Sequence, residues 1–319
     1  MKKTFVMALA AMLLFSCGKV AKKGAKVAEK EATELIVKGA TKIPKSLRER
    51  ILTTFPQEVA DKIIKRLEGC SPELIELLEK DGKVFYIWCE LNKQLPKYSL
   101  DPKFVKLFAF SENFSKQGRF AGNKVKNFVF EEGKDRVIVK SKSGLDLGEI
   151  ILVDPPKVII YETNKGKVIT NWFANLHPFP NTTYELAGAK YKTDGMGRVV
   201  ENTFKIDKGY ATTPNLYNGK NITTIGKLKG GLAGDDGGHL LGQQFGGSST
   251  VLNVVPMKSS VNRKEYLKLE RQWQQTADAG KTVNAKVKLK YDGSSTERPA
   301  WIEVIYEIDG KKYTKMFQN

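Results

Sequence analysis

The chain has 319 residues, of which 41% are hydrophobic and 28% charged, a balance that excludes wholesale disorder and leaves room for two folded domains. Its formal net charge of +18 points to polyanionic partners, nucleic acid or anionic lipid headgroups, and specifies neither.

Lys2 and Lys3 followed by the apolar stretch Phe5 to Phe15 read as a bacterial secretory signal over residues 1–16. Leu14-Phe15-Ser16-Cys17 resembles the lipobox of bacterial lipoproteins, which implies that Cys17 is lipidated and becomes the mature N-terminus, tethered to a membrane. No other segment approaches the ~18 uninterrupted apolar residues of a membrane span. Residues 17–44 are rich in Lys, Ala and Gly and read as a basic linker. With Cys17 lipidated, Cys70 and Cys89 form an even pair in an oxidising compartment, and a disulfide between them would contribute about 3 kcal/mol.

From Pro44 to about Lys80 the apolar residues recur at helical steps: Ile51, Val59, Ile63, Ile64, Leu67, Leu74, Ile75, Leu77 and Leu78 predict two or three short helices. Ser71-Pro72-Glu73 is a start signal, an N-cap followed by Pro at the first helical position. Between Asp81 and Pro180 the pattern turns to β-rich runs, at Val137 to Val139, Glu149 to Val153 and Val158 to Tyr161, and predicts a small mixed domain without a chemical motif. His177, between prolines, is assigned no function.

Residues 181–319 are more legible. A glycine-rich stretch, Gly230 to Gly247, precedes Val251 to Val255 and a helix from about Ser260 to Ala279, closed by Gly280. Val283 to Tyr291 alternates apolar with basic residues as a half-buried strand, and Asp292-Gly293 turns the chain. Trp301 to Ile308 and Tyr313 to Phe317 are strands joined by Asp309-Gly310, a type I′ hairpin signal. The fold class is α+β.

The sequence has no P-loop, no His-Glu-x-x-His helix, no Gly-x-Ser-x-Gly elbow and no paired Cys-x-x-Cys. It does have Asp236-Gly237-Gly238-His239, then Asn253-Val254-Val255-Pro256, then Asn262 through Glu270. Taken singly, each residue has an ordinary explanation: Asn262-Arg263-Lys264-Glu265 resembles a capping box, Asp236 suits a turn, and Glu270 suits a solvated helix face.

Together these residues resemble the DNA/RNA non-specific endonuclease family, in its branch of secreted nucleases and toxin domains. The resemblance covers about the last 135 residues and implies a ββα-metal nuclease domain with an antiparallel sheet, preceded by a small helical and mixed α/β region. In the family an Asp-Arg-Gly-His strand, an Asn turn and a helix with Asn and a later Glu form the site. The intervals here, nine residues from Asn253 to Asn262 and eight from there to Glu270, agree with it.

The resemblance implies His239 as general base, Asn262 as metal ligand, and Glu270 and Asp236 in support. It implies Mg²⁺ (or Mn²⁺) as the metal and DNA and RNA as substrates, with Asn253, Arg263 and Lys264 in contact with them. The chemistry is consistent: a neutral imidazole near its usual pKa can deprotonate water, and a hard cation prefers oxygen ligands and retains several waters. The departure is Gly237, where relatives carry an Arg; Arg198, in Asp194-Gly195-Met196-Gly197-Arg198, is the first candidate to replace it. Two other readings stay open: a non-catalytic lipoprotein that binds nucleic acid or another polyanion, and a nuclease toxin matched by an immunity protein. The expected location is the cell envelope, on a lipid anchor, or outside the cell.

Overall fold

The computed structural model describes residues 43–115, 127–161, 176–209, 230–293 and 296–319. The signal, Cys17 and nearly all of the basic linker lie outside the described residues. The chain divides into two units, one reaching Cys89 together with Pro96–Val105, the other comprising Glu90–Leu95 and Lys106–Asn319. Among the described residues, no helix is long and apolar enough to cross a membrane.

The first unit is built from helices α1 (Lys45–Thr54), α2 (Gln57–Leu67) and α3 (Pro72–Lys80), and most of α4 (Gly82–Gln94). The Ser71 start signal is realised: Ser71 Oγ accepts from Leu74 N at 3.3 Å, and Pro72 opens α3. Leu47, Ile51, Leu67, Leu74, Phe85 and Trp88 form the core, and Trp88 Nε1 donates to Ser99 O at 3.0 Å. The disulfide left open for Cys70 and Cys89 is not formed: both are buried free thiols. Burial pushes the Cys70 thiol up to about 11, and its S–H points to Arg66 O, one helical turn back.

Strand-rich sequence was expected directly after Asp81, but α4 and α5 (Pro102–Ser115) occupy that stretch. Val84, Phe85, Ile87 and Trp88 favour strands in local preference, yet all are buried, and burial on several sides of a helix outweighs propensity differences of this size.

The second unit holds a ten-stranded sheet: β1 (Phe128–Glu132), β2 (Arg136–Ser141), β3 (Asp146–Ile151), β4 (Lys157–Ile160), β5 (Thr183–Leu186), β6 (Ala189–Thr193), β7 (Val199–Ile206), β10 (Val283–Lys290), β11 (Trp301–Ile308) and β12 (Lys311–Gln318), in that spatial order. Every pairing is antiparallel except β4 with β5. One sheet therefore runs across residue 180, between the expected N-terminal region and the residues 181–319 that carry the resemblance. The β11–β12 turn has Asp309 and Gly310 at φ 50° and 76°, the type I′ geometry that the Asp-Gly pair anticipates.

The remaining elements are the hairpin β8 (Asp235–His239) and β9 (Val254–Lys258), a π-helical turn (Val261–Tyr266) and α6 (Leu267–Asp278). Alternation along β7, β10 and β11 sends Phe204, Ile206, Val283, Ala285, Val287, Ile302, Val304 and Tyr306 inward. Trp273 of α6 is fully buried, with its ring 5.7 Å from Phe204 and 5.8 Å from Tyr306, both edge-on. Burial of each such side chain contributes roughly 1.5–3 kcal/mol and each edge-to-face pair about 1 more, so the helix has a fixed seat on the sheet.

Candidate active site

β8 and β9 pair antiparallel with Gly238 opposite Val255 and His239 opposite Val254. Glycine is required at 238, because a Cβ there would lie 2.6 Å from the Cβ of Met257. The loop from Leu240 to Leu252 then folds back under the clamp of Asn253. Asn253 Nδ2 donates to Leu241 O at 2.9 Å and Ser248 O at 2.8 Å, and its Oδ1 accepts from Leu241 N at 3.0 Å. Asn202 of β7 also reaches that Oδ1, at 3.4 Å.

Asn253 was expected to contact substrate. It is instead fully buried with its amide protons committed, so its work is to shape the turn after His239. Asn253→Ala would leave Leu241 and Ser248 groups unsatisfied in the interior, and we expect a loss of about 2 kcal/mol in chemical denaturation. A change under about 0.5 kcal/mol would contradict the clamp.

The π turn carries Asn262 inside the helical segment and not at its cap; the cap position is Ser260, which makes no side-chain cap bond. Asn262 Nδ2 donates to Asp236 Oδ2 at 3.2 Å, and its Oδ1 has no partner among the described residues. Arg263 grips the same carboxylate at both oxygens, 2.8 and 2.6 Å, while staying 71% exposed. That guanidinium holds the Asp236 carboxyl below the usual carboxylate range, against the opposing effect of burial. Asp236 therefore acts on Asn262 and Arg263, and no hydrogen bond joins it to the His239 Nε2.

His239 lies three residues beyond Asp236, about 10 Å by strand rise. Its Nε2 is buried and makes no hydrogen bond, and burial lowers the imidazole pKa to about 4, so the ring is neutral. The next residue ties strand to helix: Tyr266 Oη donates to Leu240 O at 2.7 Å. One turn further along α6, Glu270 reaches Gly242, where a Cβ would displace its carboxylate, and it bonds to the Gln244 side chain. Burial raises its carboxyl to about 7, against the lowering effect of Gln244. In a regular α-helix, positions eight apart differ by about 80°. The wider π turn rotates less per residue and reduces that offset between Asn262 and Glu270.

The first candidate for the missing arginine does not join this group. Arg198 gives its Nε to Asp194 at 2.8 Å and its Nη1 to Gly293 O and Thr296 O at 2.8 and 2.9 Å, and it stacks on Tyr291. It braces the β10–β11 loop. His177 is structural as well, with Nε2 3.1 Å from Met196 O. Lys264 is exposed. A buried pair had no local sequence signal: Asp235, 3% exposed, takes both oxygens to Arg298, 63 residues away, at 2.6 and 3.0 Å. Burial works against ionised Asp235, yet Arg298 and the Leu232 amide hold its carboxyl below the ordinary value.

Among the described residues, no three His, Cys, Asp or Glu side chains converge as a metal cage. The donor set that does fit a hard cation is oxygen-based: the unpartnered Asn262 Oδ1, with Asp236 beside it.

A two-stranded hairpin carrying His239 is followed in the chain by a helical segment carrying Asn262, a ββα arrangement. Residues 180–310 match the model of the DNA/RNA non-specific endonuclease family. The type VII secretion system protein EssD of Staphylococcus aureus strain USA300 is 36% identical over 141 residues, 41% of this chain and 22% of EssD. EssD of strain Newman matches to the same extent. The chain thus spans about a fifth of the length of these relatives. Among solved structures, NucA from Streptococcus agalactiae with no metal bound is similar at 15% identity and a TM-score of 0.33, over 65% of this chain and 87% of NucA. Its magnesium-bound form is similar at 14% identity and the same TM-score, over 63% and 89%.

Proposed function

We propose that this protein hydrolyses phosphodiester bonds of DNA and RNA with little sequence preference, at the site formed by β8, β9 and the helix that follows. The observation that carries this is an uncharged imidazole with an unpartnered, buried ring nitrogen, on the strand whose earlier residue anchors a carboxamide with a free oxygen. Asn262 Oδ1 would hold Mg²⁺ or Mn²⁺, with Asp236 and Glu270 positioned to orient its waters. Such a cation neutralises charge on the transferring phosphate and the leaving oxygen.

His239 takes the proton of the attacking water. A buried base of pKa about 4 is weak in the free protein, but the negative phosphate beside the ring favours imidazolium and moves the value back up as substrate binds. Arg263, exposed at the Asn262 end of the helix, supplies the cation that Gly237 does not, and Lys264 adds a phosphate contact. Contacts to backbone phosphate carry no sequence information, hence the broad specificity.

Cleavage of plasmid and of total RNA by the full chain, with Mg²⁺, Mn²⁺ or EDTA, tests the reading. Asn262→Ala should raise the Mg²⁺ concentration at half-maximal rate about tenfold or more. Cleavage indifferent to EDTA would overturn the metal role, and binding without cleavage would leave the protein a polyanion-binding one. A lipid anchor at Cys17, or release from the cell, belongs to the same proposal, and metabolic labelling with palmitate separates the two. The likeness to a type VII secretion system protein favours a second reading, an exported nuclease toxin held in check by an immunity protein; toxicity to neighbouring cells in co-culture tests it.

A further inference from the structure

Most lysines of the large sheet have acidic neighbours: Lys192 and Lys286 share Glu201, Lys157 and Lys190 share Glu185, and Lys288 faces Glu303. The helix behind Asn262 is different. Lys264, Lys268 and Arg271 are all exposed and none has a side-chain hydrogen bond or ion pair with a described residue. Glu265 and Glu270, the carboxylates next to the stripe in sequence, pair with none of them.

Their spacing of four and then three residues lines them up as one stripe along the solvent side of the π turn and α6. Folding alone gives no reason for this arrangement. Like charges at those intervals repel, and Lys264 stands in the first turns, where the helix dipole also disfavours a cation. A local conflict of this kind is expected where a ligand resolves it.

We propose that Lys264, Lys268 and Arg271 form a phosphate track along this helix, which holds a nucleic-acid strand beyond the bond being cut. The proposal rests on the nuclease reading and gives Lys268 and Arg271 a role as binding residues: the stripe runs along the solvent face of the same helical segment that carries Asn262. The ligand is a run of backbone phosphates, so the contacts are ionic, tolerant of sequence and sensitive to salt.

The test is binding of a fluorescent 20-nucleotide single strand to the full chain in EDTA, measured by anisotropy across a salt series, for the wild type and the K268Q/R271Q double variant. Loss of two phosphate contacts should flatten the slope of log K against log salt by about 1.4 and weaken binding roughly tenfold near 0.1 M salt. The variant's thermal midpoint at low salt should be equal or higher, because repulsion is removed. An unchanged slope with intact folding overturns the track. So does a variant that loses binding to phosphatidylglycerol vesicles while its oligonucleotide slope stays, which would make the stripe a lipid contact. Failure of the wild type to cleave plasmid with Mg²⁺, alongside a flattened slope, would count against the nuclease reading and leave the track standing.

Discussion

His239→Ala should lower kcat for plasmid cleavage by about 10²–10⁴-fold, the usual contribution of a positioned general base, with the metal requirement retained. The substitution is structurally mild for a buried residue: Nε2 has no hydrogen bond to lose, and Asn253 and Tyr266 hold the neighbouring backbone without help from the ring. The pH profile identifies the role. Activity needs the neutral ring, and burial keeps the free protein's ring neutral down to about pH 4. The acid limb of kcat/KM, which reports the free enzyme, should therefore lie well below 6.5. The limb of kcat, which reports the complex, should lie higher because bound phosphate favours imidazolium. A variant that cleaves within tenfold of wild type, or one that keeps the same acid limb, would remove His239 from the chemistry.

Much of the site could be read from sequence because its signals are local. The intervals among His239, Asn253 and Asn262 follow from one hairpin and one helix that are continuous in the chain. Asp309-Gly310 and Ser71-Pro72 announce a turn and a helix start through their own backbone preferences. Asp101-Pro102 carries a signal of the same kind for α5, with Asp101 Oδ1 accepting from Lys103 N at 2.8 Å. What the sequence hides is long-range. Nothing near Arg198 reveals that it is committed to the loop at Gly293, and nothing near Asp235 names Arg298. Asn253 has the same type and spacing whether it faces substrate or the interior, and only tertiary packing separates the two uses. The π turn is equally silent, because Val261 to Tyr266 has the composition of an ordinary first helical turn.

In EDTA, the stability of the wild type should be nearly flat between pH 4.5 and 6.5, and Glu270→Gln should remove that flatness. Glu270 keeps its proton up to about pH 7 when folded and loses it near 4.5 when unfolded. The stability of its neutral form is thus complete below 4.5 and declines as pH rises through 7, by about 3 kcal/mol in all. His239 works in the opposite sense: unfolded it gains a proton below 6.5, folded only near 4, so stability falls by a similar amount as pH drops through that window. Between 4.5 and 6.5 the unfolded chain holds a charged His and Glu, and the folded chain holds both neutral. Folding there moves one proton between sites without net uptake, and the two slopes cancel. Glu270→Gln eliminates one of them, so the variant should lose stability from pH 6.5 downwards. Measured against wild type, it should gain about 3 kcal/mol between pH 4.5 and 8. His239→Asn should expose the other slope, with stability falling as pH rises from 4.5 to 7. Urea denaturation of the three proteins across that range decides the matter. Parallel curves would show that the two buried groups do not titrate as their burial requires.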